Sequence, residues 1–95
     1  MPAVHRDEDP RVCGAETVVS NQSSVYANGK LIAVDGDPNS HGAGELIAHS
    51  NNVYVEGLLV VNHTPDHAEP DLLIVIPHSD PYTDGGSPDV FVGDP

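Results

Sequence analysis

One cysteine and six histidines are the side chains here with the chemistry of metal ligation. Cys13 stands in Asp9-Pro10-Arg11-Val12-Cys13-Gly14-Ala15, and His41 in Asp37-Pro38-Asn39-Ser40-His41-Gly42-Ala43, 28 residues later. Two histidines compete for a third place. Counting forward from Pro65 reaches His67, one residue early; counting back twelve from Val90 reaches His78. Twelve residues also separate Cys13 from Val25 and His41 from Val53. One thiolate and three imidazoles from Cys13, His41, His67 and His78 suit a closed, tetrahedral, structural zinc site, and that donor set favours zinc over iron. His63 is the reserve ligand, and Pro65 disfavours presenting it with His67 on one helix. His5 and His49 have no counterparts at the repeat spacing and read as solvated histidines.

The elements that position these residues follow the same repeat. The offset of 28 carries Val25-Tyr26 onto Val53-Tyr54, Gly29 onto Gly57, and Leu31-Ile32-Ala33-Val34 onto Leu59-Val60-Val61-Asn62. A third copy is stretched by nine residues: Ser87-Pro88-Asp89-Val90-Phe91-Val92 repeats the approach to Val53-Tyr54-Val55 at an offset of 37, and the added length falls between His67 and Gly85. Each unit predicts a β-hairpin. Asn28-Gly29 is a strong hairpin-turn pair, Glu56-Gly57 takes its place in the second unit, and the third runs from Val90-Phe91-Val92 into Gly93. Residues 72–76, between Pro70 and Pro77, predict a short buried strand. No segment has helical periodicity. The fold class expected is all-β: a single domain over residues 1–95, three hairpins sharing one interior about a pseudo-threefold axis, on which the four ligands would meet.

Composition narrows the function classes. Three Lys/Arg against fifteen Asp/Glu give a net charge of −12, which leaves nothing to neutralise a row of phosphates and opposes an anionic membrane surface. A lone cysteine excludes an intramolecular disulfide. A core with no Trp and one Phe is small enough to need a staple.

Together these motifs resemble the PAAR-repeat proteins that sharpen the spikes of contractile phage tails and type VI secretion machines. The resemblance rests on the opening Met1-Pro2-Ala3-Val4-His5-Arg6 before Cys13-Gly14, and on Ser23-Ser24-Val25-Tyr26-Ala27-Asn28-Gly29. It also rests on Gly86-Ser87-Pro88-Asp89-Val90-Phe91-Val92, close to the family's recurrent Ser-Pro-Asn-Val-Phe-Val element. Of the positions matching the family's name-giving arginine, Arg6 keeps it, while Val34 and Asn62 replace it. The resemblance implies a small cone of three β-hairpin repeats on a triangular base, with a zinc near its apex held by three His and one Cys. Residue by residue, those fall on Cys13, His41, His67 and His78.

The implied function is mechanical and non-enzymatic. The chain would cap and sharpen a trimeric β-helical spike, one copy per trimer, at the tip of a virion tail or an equivalent machine. It would touch the host membrane only transiently. Tyr26, Tyr54 and Phe91 are then either ordinary core or the apolar base. Two other classes compete. A zinc hydrolase needs an open coordination position and a general base, and neither HExxH nor GxSxG is present. A calcium-binding adhesion module would use Asp7-Glu8-Asp9 and Asp35-Gly36-Asp37, but these lack the twelve-residue calcium-loop pattern.

Overall fold

A computed structural model of the chain describes residues 3–12, 14–48, 53–63, 67–69 and 83–91. Cys13, His49, His78, residues 72–76 and residues 92–95 lie outside these, and so does the strand expected at 72–76. The described residues form an all-β chain with no helix. Loops rich in Gly, Pro, Asn and Asp break the backbone often, so the strands are two residues each: β1 Ala3–Val4, β2 Tyr26–Ala27, β3 Lys30–Leu31, β4 Tyr54–Val55, β5 Leu58–Leu59 and β6 Asn62–His63.

Two of the three expected hairpins form around the expected turns, Asn28-Gly29 and Glu56-Gly57. β2 pairs antiparallel with β3, Tyr26 opposite Leu31, and β4 with β5, Tyr54 opposite Leu59. Both residues of each turn have positive φ, 55° and 79° at Asn28-Gly29 and 52° and 85° at Glu56-Gly57, the twist a two-residue hairpin needs. Asn and Gly adopt this conformation readily; Glu does not. Glu56 is held in place by the Ser24 hydroxyl and the Ser23 N–H, which donate to its Oε2 at 2.6 and 3.1 Å. The same two bonds keep its carboxyl below the usual range.

The third hairpin draws its strands from opposite ends of the described residues, and the expected run from Val92 into Gly93 lies outside them. Phe91 is bridged to Ala3. The Val4 N–H donates to the Val90 carbonyl at 3.0 Å, just as Ile32 donates to Val25 and Val60 to Val53. β1 serves because Ala3-Val4 lies one repeat length before Leu31-Ile32. On its other side β1 pairs with β6, Val4 opposite Asn62. The counterparts of that contact are the bridges Arg6–Ile32 and Val34–Val60. Between these contacts runs a closed circuit. Ala33 N–H donates to His5 C=O at 2.9 Å, Val61 to Ala33 at 3.0 Å, and His5 to Val61 at 3.0 Å.

Alternate residues along these strands face opposite ways, and each face has its own core. Val4, Ile32, Val60, Val34, Ala27 and Val55 form one buried cluster. The intervening Ala33 and Val61 join Val19, Leu46 and Ala68 in a second. The loops laid over this second face follow the repeat too, through the bridges Thr17–Asn39, Leu46–Ala68 and Arg11–Thr83. The offset is 29 from Asn39 to Ala68 and 37 from Leu46 to Thr83. Eight of the nine added residues therefore lie between Ala68 and Thr83, and the ninth lies before His67.

Candidate metal centre and contact surface

The turns around Cys13 and His41 are closed alike. Arg11 N–H donates to Ala15 C=O at 2.8 Å and Gly14 N–H to Arg11 C=O at 3.0 Å. Asn39 to Ala43 and Gly42 to Asn39 repeat both bonds at the same lengths. Cys13 itself lies outside the described residues; the bonds of its neighbours have the register of those around His41. His41 is half-buried, and its N–H donates to Asn39 Oδ1 at 2.9 Å. His67 is exposed. Its carbonyl accepts from Ile47 N–H at 2.8 Å, as Pro38 accepts from Val18 and Pro10 from Asp84. Its backbone thus takes the place of the prolines, not of Cys13 and His41. His78 lies outside the described residues. Among the described residues no three His, Cys, Asp or Glu side chains come together, and only two of the four expected ligands are among them. The reserve ligand His63 is half-buried, with Nδ1 2.9 Å from Thr83 Oγ1.

What the structure adds is a buried polar network that the sequence reading missed. His5, expected in solvent, is fully buried. It occupies the position of Ala33 and Val61 in the circuit, and both of those residues are interior. That register was the available signal. His5 Nδ1 lies 2.6 Å from the Gly85 carbonyl, which can only accept, so Nδ1 carries the proton. Nε2 then accepts from the Thr17 hydroxyl at 2.6 Å, and the Thr17 oxygen accepts from Arg11 Nε at 2.6 Å. Burial drives the His5 pKa down to about 4, against the raising effects of the Gly85 bond and Asp9 and with the lowering effects of Arg11 and His63. Arg11 is 1% exposed and also donates to the carbonyls of Gly44 and Asp37 at 2.8 and 3.2 Å. One guanidinium therefore stitches together segments from the first two units.

The acidic turns are structural. Asp9 accepts from Arg6 N, Nε and Nη2 at 2.8 to 2.9 Å, and this pairing raises the Arg6 pKa. Asp37 accepts from the backbone N–H groups of Val34, Ser20 and Asn21 at 2.8 to 3.1 Å. Burial nonetheless raises its pKa. Asp7 and Asp35 accept from Val19 N–H and Ala48 N–H, each at 2.8 Å. Four of the five carboxylates considered for calcium thus serve as turn and loop caps.

Tyr26, Tyr54 and Phe91 are not core. They are 59%, 60% and 49% exposed, at one position on three hairpins, each opposite an aliphatic residue: Leu31, Leu59 and Ala3. Arg6 and Arg11 are buried, so of the three basic side chains only Lys30 reaches the surface. Compared with family models, with curated proteins and with solved structures, the chain has no match in any of the three.

Proposed function

We propose that this chain is the tip of a contractile injection spike, akin to the PAAR-repeat proteins it resembles. It would be a non-enzymatic cone that caps a trimeric β-helical partner and leads it through the host membrane. The observation that carries this reading is the circuit through His5, Ala33 and Val61, in which residues one repeat apart hydrogen-bond in a closed ring. A ring of that kind is what a pseudo-threefold axis requires. One such chain matches three identical spike chains only at one copy per trimer. Extents of 36 × 23 × 23 Å, equal across the long axis, accord with that axis.

Zinc fits this reading through the matched turns around Cys13 and His41, and Cys13, His41, His67 and His78 would hold it. When bound, it supplies a cross-link among loops whose own core is small. No bond is broken in this scheme, so Asp66 and Glu69, which a zinc hydrolase could use as a general base, would be dispensable. The test is elemental analysis and thermal melting of the purified protein beside Cys13→Ala and His41→Ala. Both variants should lose zinc and melting temperature together. Equal melting with and without metal would remove zinc from the account. Charge at the base, as in Tyr54→Asp or Val92→Asp, should abolish capture by the spike while leaving zinc content unchanged.

A further inference from the structure

The exposed aromatic positions also control a set of backbone groups. In a hairpin with a two-residue turn, the residues flanking the turn exchange hydrogen bonds, the next pair does not, and the pair after that does again. Here Ala27 and Lys30 flank the first turn, Tyr26 and Leu31 follow, and Ile32 N–H bonds Val25 C=O at 3.0 Å. Tyr26 therefore turns its own N–H and C=O away from β3, toward the outer edge of β2. Tyr54 does the same between the Val55–Leu58 pair and the 2.9 Å bond from Val60 to Val53. Phe91, bridged to Ala3 beside the 3.0 Å bond from Val4 to Val90, is the third. Each site thus joins an outward donor and acceptor to an exposed ring.

Charge marks two of the three edges. Glu56 Oε2 sits on Ser23 and Ser24, just before Val25-Tyr26. Asp89 stands two residues before Phe91 and accepts from Asn28 Nδ2 at 2.6 Å. The only surface cation on these hairpins is Lys30, at the turn.

We infer that Tyr26, Tyr54 and Phe91 are receptor edges for strand addition. Each takes one extended segment, which pairs with the outward N–H and C=O and lies under the aromatic ring, and the segments at Tyr26 and Phe91 carry a basic residue. The number of strands, three from one threefold partner, rests on the spike-tip reading; the edge chemistry does not. Backbone pairing at three points tolerates varied partner side chains, while the carboxylates set direction through charge complementarity.

The test uses amide hydrogen exchange on the full chain, with a Lys-Thr-Val-Thr-Val peptide displayed in three copies on a trimeric coiled coil as probe. The Tyr26, Tyr54 and Phe91 amides should exchange rapidly in the free protein and at least tenfold more slowly with the trimeric probe. Tyr54→Pro removes one edge donor where an edge strand tolerates proline and should weaken binding about two- to tenfold, the scale of one hydrogen bond. Tyr54→Ser, which keeps the N–H, should retain protection at residue 54 with weaker binding. Fast exchange at all three amides under saturating probe, or probe binding untouched by Tyr54→Pro in a folded protein, would overturn the inference. Spike capture with these amides still fast would overturn strand addition alone. Probe binding without spike capture would overturn the spike-tip reading alone.

Discussion

Ala3 is bridged to Phe91, the first described residue to the last. Residues far apart in the chain thus build one hairpin together, and the bonds among His5, Ala33 and Val61 tie it to the other two. Val4, fully buried beside that bridge, is the return-strand residue matching Ile32 and Val60. Val4→Ala should therefore destabilise the whole fold by roughly 2 kcal/mol, from lost burial and a residual cavity. Urea unfolding checks this; a loss below about 0.5 kcal/mol would mean the third hairpin contributes little.

Thr17 has a different vulnerability. Its hydroxyl serves His5 and Arg11 at once, each at 2.6 Å, so Thr17→Val keeps the shape and strands two buried groups. A cost of about 2–6 kcal/mol is expected, since each unsatisfied buried group costs about 1–3. The double variant Thr17→Val with His5→Leu should cost less than the sum of the two single changes.

Stability should depend on pH through His5. Its folded pKa, about 4, lies below the ordinary histidine value of 6.5, so the unfolded chain takes up the proton first. The stabilisation is complete above pH 6.5 and is lost as pH falls toward 4. Between pH 7.5 and 5 the loss is on the order of 2 kcal/mol. Comparing urea midpoints of the native chain and His5→Gln isolates this component, and the variant should show a flatter profile by that amount. Parallel profiles would mean that His5 protonates without cost.

Two glycines separate conformational from steric cost. A Cβ on Gly57 meets nothing within 4 Å, but its φ is +85°; Gly57→Ala should cost about 1–2 kcal/mol from backbone strain alone. A Cβ on Gly86 would lie 2.8 Å from the Val4 carbonyl oxygen. Gly86→Ala must push β1 aside and should be the more damaging change. Thermal melts of the two variants, ranked in the opposite order, would contradict this packing.

Hairpin positions, turn chemistry and the long third insertion were legible because a repeat of 28 residues shows through the side chains. The solvent exposure of Tyr26, Tyr54 and Phe91 was not. Val-aromatic alternation looks the same whether the ring faces a core or a partner, and only the buried Ala27 and Val55 beside the rings settle the face. His5 was misread because a polar residue can stand at an interior repeat position when a hydroxyl and a carbonyl satisfy it. The register of His67 was hidden for another reason. One residue is added before it, which moves its backbone onto the place of Pro10 and Pro38 while Pro65 suggests another alignment. Arg11 gave no sign of burial, since its partners are Thr17 and two backbone carbonyls from distant segments.

The spike-tip reading is tested most directly by native mass measurement of this protein bound to a trimeric β-helical spike. The account predicts a single copy of the chain on each trimer, carrying one zinc ion, with none bound to isolated spike monomers. Three copies per trimer, or no complex from zinc-loaded, folded protein, would contradict it.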